Sequence, residues 1–199
     1  MDFLTRFNPA TFGPAEWSNV AWGALTLYWI ITWFSAKRPA RAESSRERWT
    51  HLTFLIAGAL LLLKENWPFP ILQARLYPNF LWLRWTGAVL EMLGSAFAIW
   101  ARFTLGGNWS ADVQIKEGHT LIRKGPYKFI RHPIYTGILL MLVGDALAIG
   151  EVRAYLALFL IVIGFVRKAK KEESYLASEF GSAFDEHIRH TGFFLPRFS

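Results

Sequence analysis

Long uncharged runs separated by short basic segments constrain this chain more than any other feature. Trp17 to Ala36 is twenty residues without a charge, enough to cross a hydrocarbon layer of about 30 Å at about 1.5 Å per residue. Trp49 to Leu63 is a shorter apolar run ended by Lys64. Trp85 to Ala101 carries only Glu91, Ile134 to Gly150 only Asp145, and Ala154 to Val166 no charge at all. The pattern predicts an all-α integral membrane protein with about five transmembrane helices, over roughly 17–36, 49–65, 80–104, 134–149 and 152–167. The last two are short and separated only by Gly150-Glu151, as in a tight helical hairpin. Buried helices of a soluble protein are the alternative. Against that stands a composition that is 53% hydrophobic, with 10 Trp and 17 Phe in 199 residues, richer in apolar and indole side chains than soluble domains are. The first run has no basic leader and is too long for a cleaved signal, so it reads as a span.

The basic residues give an orientation. Of 22 Lys and Arg, 17 fall in three segments, 37–48, 102–131 and 167–197. With five spans all three lie on one side, which the positive-inside rule makes the cytoplasm. The net charge of +7 is then a matter of topology and anionic headgroups. No basic helix with base-reading residues is present, so nucleic acid is not an expected partner. The chain has no Cys, which excludes disulfides, thiolate metal sites and a Cys nucleophile.

Two regions follow from this. Residues 1–104 hold three membrane helices, after a short polar and aromatic lead (1–16) expected at the interface. Residues 105–199 hold the hairpin and two polar blocks on the cytoplasmic side. Ser44-Ser45-Arg46-Glu47 is a cap for the second helix. Pro68, Pro70 and Pro78 among Trp67, Phe69 and Tyr77 mark an irregular outer loop with an aromatic belt. Gly106-Gly107 ends the third span. Gly125-Pro126 and His132-Pro133 are turn signals, and Pro133 suits the first turn of the fourth span.

The polar blocks carry the chemistry. From His119 to Gly137 the chain leaves and re-enters the membrane, and irregular backbone at that depth is tolerated only against protein or a watery cavity. Its backbone groups, with His119, Arg131 and His132, suit a zwitterionic ligand; a solvated loop with helix-capping His residues fits the same spacing. Glu172 and Glu173 follow a basic run at helical spacing. They form either an exposed ion-pair face or an anionic patch for a cationic ligand. Glu91 and Asp145 lie inside apolar spans, where carboxylates usually face the bundle interior; pairing with Trp or Tyr and lining a lumen are both open. His187 and His190, three apart, lack the further ligands a metal needs.

The pattern His119-x-Leu121-x-x-x-Gly125-Pro126-Tyr127-x-x-x-Arg131-His132-Pro133-x-Tyr135-x-Gly137 resembles the isoprenylcysteine carboxyl methyltransferase family and the related phospholipid methyltransferases. Glu172-Glu173-x-x-Leu176-x-x-x-Phe180-Gly181 is similar to that family's second signature. The two blocks stand in family order, with the hairpin between them. The resemblance implies S-adenosylmethionine bound at the cytoplasmic membrane edge. By position, Gln114, His119, Thr120, Leu121, Ile122, Tyr127, His132, Pro133, Ile134, Tyr135 and Glu172 look like its contacts. Lys168 stands where the family often has Arg, with Arg167 adjacent, and Phe184 and His187 stand where two Tyr are common.

The expected reaction is methyl transfer to a lipophilic acceptor, most simply the carboxylate of an isoprenylcysteine-like substrate. The sulfonium methyl is already activated, so the site need only align a nucleophile and exclude water. Arg131, Lys168 and Glu173 are the expected catalytic set. Lys168 or Arg167 would orient the acceptor carboxylate, and Arg131, His132 and backbone N–H groups would meet the cofactor's own. Methylation of a phospholipid amine would also need a base, Glu173 or a histidine. A sterol-type membrane reductase using a nicotinamide cofactor and a non-enzymatic scaffold are the other readings. An acceptor's lipid tail is expected to enter through an apolar opening between spans three to five.

Overall fold

The computed structural model describes residues 12–33, 39–42, 44–64, 66–109, 114–116 and 120–198. Helices account for most of them: α1 (Pro14–Thr32), α2 (Ser45–Leu63), α3 (Pro70–Gln73), α4 (Leu81–Leu105), α5 (Pro133–Ile149), α6 (Val152–Phe180) and α7 (Ser182–His190). A short antiparallel ribbon, β1 (Pro39–Ala42) with β2 (Gln114–Lys116), sets Arg41 opposite Ile115 and Ala42 opposite Gln114.

Local signals explain where the helices begin. α2 starts a turn before the apolar run because Ser44 and Glu47 form a capping box: Ser44 Oγ accepts from the Glu47 N–H at 3.3 Å, and Glu47 Oε2 accepts from the Ser44 N–H at 3.1 Å. α1 and α5 each open on a proline, whose missing N–H leaves no bond unmade.

Small residues fix the packing of α4 on α5. A Cβ built on Gly94 would lie 2.5 Å from the Gly137 carbonyl oxygen, and one on Gly87 would lie 2.5 Å from that of Gly144. The two helices are therefore antiparallel and nearly in backbone contact, as small residues permit in membrane bundles. α6 lies along α2 instead, with Gly58 against Ile161 and Gly164 against Leu55. The turn of the expected hairpin is present, with Gly150 at φ 68° closing α5; its legs touch through Leu142, Ile161 and Phe165, while α5 also packs on α4 and α6 on α2. Beyond the apolar run, α6 continues unbroken into the charged stretch, for 29 residues to Phe180.

The three basic segments meet at one end of the bundle. The ribbon joins the first to the second, Lys171 pairs with Glu47, and Arg131 pairs with Glu173. At the opposite end, Tyr77 Oη donates to the Leu147 carbonyl at 2.8 Å and Arg153 donates to the Leu62 carbonyl at 2.7 Å, closing the last turns of α5 and α2. The outer faces are apolar: Ile30, Ile31, Leu63, Trp82, Phe103 and Phe159 are each more than 60% exposed, which an aqueous surround would penalise. By length and composition, α4 with its trailing turn (Leu81–Asn108) is the one described helix that meets both requirements of a span, and α5 is apolar but shorter.

Candidate functional site

The two polar blocks form one cluster at the basic end. α5 begins at Pro133, so its first two turns carry Tyr135 and Thr136 while His132 caps it. Because α6 continues past the apolar core, Lys168, Glu172 and Glu173 ride on the same rod and face that first turn. His132 lies between the carboxylates, with Nε2 3.0 Å from Glu173 Oε1 and Nδ1 3.5 Å from Glu172 Oε2. Tyr135 Oη donates to Glu172 Oε1 at 2.5 Å. Arg131 Nε donates to Glu173 Oε1 at 2.6 Å, and its Nη1 donates to the Thr191 carbonyl at 2.5 Å.

Aromatic rings enclose this cluster. His132 stacks on Tyr135 with centroids 5.7 Å apart, and Tyr135 stacks on Phe165 at 4.7 Å. Phe193 meets the His132 ring edge-on at 4.9 Å, and Lys168 Nζ lies 5.7 Å from the Tyr135 centroid. The segment after α7 is held there by backbone bonds. The N–H groups of Arg131 and His132 donate to the carbonyls of Gly192 and Phe193, at 2.9 and 3.2 Å. Of the loop's backbone N–H groups, expected from the sequence to suit a ligand, these two are thus already engaged.

The expected residues separate into three groups. Arg131, His132, Tyr135, Lys168, Glu172 and Glu173 converge in the cluster. Tyr127 and Ile134 are buried beside it against Trp109 and Ala101, with Ile122 packed on the same group and Pro133 fully buried at the start of α5. Leu121 is half-buried, and Thr120 is exposed while accepting from Asn108 Nδ2 at 3.0 Å. Gln114 sits in β2 opposite Ala42. His119 lies outside the described residues. Arg167 turns away from the cluster, donating to the Thr50 carbonyl at 2.7 Å and stacking on Phe54, so Lys168 is the cation presented to it. Sequence reasoning missed Phe165, Asn108 and Thr191; only the aromatic pair Phe193-Phe194 left a visible signal.

Charge and burial work against each other in the cluster. Burial opposes charge on His132, but the two carboxylates overcome it and hold its pKa above the usual 6.5. Burial likewise raises Glu172 and Glu173, and the hydrogen bonds and charges of His132, Lys168, Tyr135 and Arg131 bring both below 4.5. Both ring nitrogens of His132 face carboxylates, which favours the charged ring: Nε2 is at hydrogen-bond distance from Glu173, and Nδ1 makes the longer ion-pair contact with Glu172. Burial, then the charge of Glu172, raises the Tyr127 phenol well above its ordinary range. Burial, then Arg123 and Arg131, lowers His187 to about 4.

A pH dependence follows. Stability from Glu172 and Glu173 is complete above about 4.5 and lost as pH falls through their lowered values. That from His132 is complete below about 6.5 and lost as pH rises through its raised value. His187 stays neutral when folded, so its contribution is complete above about 6.5 and lost toward about 4. Thermal unfolding across this range is expected to show a steep acid limb, where three groups act together, and a shallower alkaline one from His132 alone.

Residues 87–178, spanning most of α4 through most of α6, match the model of the isoprenylcysteine carboxyl methyltransferase (ICMT) family. The match covers 92 of the chain's 199 residues, and over that segment the chain is similar to this family. The match holds the two blocks that fold together around His132. Similar proteins include the protein-S-isoprenylcysteine O-methyltransferase of Homo sapiens, 30% identical over 58% of this chain and 42% of that protein. A probable enzyme of the same name from Oryza sativa is 27% identical over 60% of this chain and 67% of its own length. The cobalt-zinc-cadmium resistance protein CzcN of Cupriavidus metallidurans is 35% identical over 58% of this chain and 55% of its own. The chain thus spans between about two fifths and two thirds of these relatives.

Proposed function

We propose that the chain is a multi-pass membrane methyltransferase that uses S-adenosylmethionine and acts on a lipophilic acceptor, most simply a carboxylate of the isoprenylcysteine type. The observation that carries this reading is the single buried cluster of His132, Tyr135, Glu172 and Glu173, built from both polar blocks and lying within the family match. In this reading α1, α2, α4, α5 and the first half of α6 cross the bilayer. The end holding the basic segments faces the cytoplasm.

The residues present fit such a cofactor. Glu172 offers a carboxylate beside Tyr127 and Tyr135, suited to an ammonium or ribose hydroxyls, and the stacked rings of Tyr135 and Phe165 favour a neighbouring cation. Glu172, Tyr127, Tyr135, His132 and Ile134 would hold the group with the 120–122 segment; Gln114, His119 and Pro133 belong to the same proposed set. When bound, S-adenosylmethionine supplies an activated methyl group on a sulfonium.

The chain's own residues do the rest. Lys168 orients the acceptor carboxylate. Arg131 positions Glu173 and, through it, His132. Phe165, Phe193 and Phe194 exclude water, so that charge neutralisation between acceptor and sulfonium occurs in a low-dielectric site. The engaged state of His132 and Glu173 favours an acceptor needing no base: an imidazolium between two carboxylates cannot take a proton, and an ion-paired Glu173 is a weak acceptor of one. An apolar cavity shares Phe165 with the cluster and offers an acceptor's tail a way in. Its walls include α1 and α2 as well as the later spans named from the sequence.

Purified protein is expected to transfer a labelled methyl group from S-adenosylmethionine to prenylcysteine and not to a phospholipid amine. Transfer to the amine alone would reverse the assignment of acceptor, and transfer to neither would remove the reading. With a carboxylate acceptor the rate is expected to stay flat above about pH 5, because such a group is then ionised. A rise toward alkaline pH would point to an amine.

A further inference from the structure

A cavity of about 900 Å³ lies among α1, α2, α4, α5 and α6, and it has a polar end that the proposed transfer reaction does not use. Its floor follows one face of α5. Tyr135, Ile138, Leu142 and Asp145 recur at spacings of three and four, so they share a stripe about 15 Å long from the cluster to Asp145. Near the cluster the lining is Ile138, Leu142, Ile161 and Phe165. Farther along it becomes acidic, with Glu91 and Asp145 both on the wall.

These carboxyl groups are unequal. Asp145 Oδ1 accepts from Trp22 Nε1 at a long 3.4 Å. Glu91 is 0% exposed, and neither of its oxygens has a hydrogen-bond partner among the described residues. Ser18 and Asn19 line the same cavity, Ser18 near enough to act on Glu91 without meeting the hydrogen-bond geometry. Arg84 lines it too, about 10 Å along α4 from Glu91 by helix rise, and makes no ion pair with either acid among the described residues. A buried carboxyl group with no donor is costly in any protein and more so in a bilayer. A packing role does not account for Glu91, which a leucine of similar size would fill without that cost.

We infer that this cavity is a binding site for a long-chain amine, its ammonium between Glu91 and Asp145 and its hydrocarbon chain directed along Ile138 and Leu142 toward Phe165. An ammonium supplies several N–H donors and the opposite charge at once, which suits two carboxylates on one cavity wall, one of them with neither oxygen paired. A divalent cation is a poorer match, since hard cations take six or more oxygen ligands and two carboxylates supply few of them. On the reading proposed above, an occupant filling this channel excludes an acceptor's tail from it, so the amine is also expected to inhibit transfer.

The test uses the full chain in nanodiscs of phosphatidylcholine, a lipid without a primary amine. Tetradecylamine at about a hundredfold excess over its dissociation constant is expected to raise the unfolding midpoint by roughly 5–10 °C, and tetradecanol to leave it unchanged. E91Q/D145N is expected to lose the shift. Should the double variant not fold, a diazirine-bearing tetradecylamine needs no substitution: it should label residues between Ile138 and Leu142 and near Ile161, in competition with the unlabelled amine. Equal shifts with the alcohol, or labelling confined to lipid-facing positions such as Phe159, overturn the inference. Methyl transfer without amine binding removes only this site, and amine binding without transfer to any acceptor removes only the proposed activity.

Discussion

Glu173→Ala is expected to cost about 3–5 kcal/mol of stability, the usual penalty for taking one partner from a buried ion pair, and to abolish methyl transfer. One oxygen, Glu173 Oε1, receives both Arg131 Nε at 2.6 Å and His132 Nε2 at 3.0 Å. Its loss leaves a guanidinium and an imidazolium adjacent, with side chains only 12% and 5% exposed. His132 then loses one of the two carboxylates that keep it charged, so its pKa should fall toward the value burial alone would set. The alkaline limb of the stability profile should move to lower pH. Denaturation in detergent read against pH, beside the transfer assay, checks both parts. Glu173→Gln keeps an acceptor without the charge and should recover part of the stability but little of the activity. A variant that stays as stable as the parent, with an unshifted alkaline limb, would show that the shared oxygen holds nothing together.

Gly94→Leu is expected to be more damaging still. The first added carbon would lie 2.5 Å from the Gly137 carbonyl oxygen and 2.8 Å from Met141 Cγ, and the former is backbone that cannot rotate away. Overpacking in a core costs typically about 1–3 kcal/mol; here α4 and α5 must separate, so the loss should reach or exceed the upper figure. Since α5 carries His132, Tyr135 and Thr136 in and beside its first turn, the site should move with it. Gly23→Ala is the matched control: nothing lies within 4 Å of its added Cβ, and the exchange should be neutral or stabilising by up to about 1 kcal/mol. Midpoints of thermal unfolding in detergent for the pair read out the difference.

The legible parts of this chain were those written in local pattern. The capping box at Ser44, the proline opening α5 and the glycines at 106 and 150 mark boundaries by backbone chemistry that needs no neighbour. The convergence of Arg131, His132 and Tyr135 with Glu172 and Glu173 was legible only through a resemblance, because spacing alone fitted a solvated loop equally well. Helix pairing was not legible. Gly87, Gly94, Gly137 and Gly144 look like ordinary small residues in apolar runs until two helices are brought together, and lipid-facing and partner-facing leucines read alike. The part played by Arg131 also escaped, because its ties to Glu173 and to the Thr191 carbonyl depend on chain segments 42 and 60 residues downstream.

The unbroken course of α6 has a mechanical consequence. A rod of 29 residues extends about 43 Å at about 1.5 Å per residue, with no hinge between its apolar half and Glu172. Any tilt adopted to match a thicker or thinner bilayer must swing the carboxylates at its far end relative to His132. On the function proposed above, lipid acyl length thereby becomes a control variable for methyl transfer.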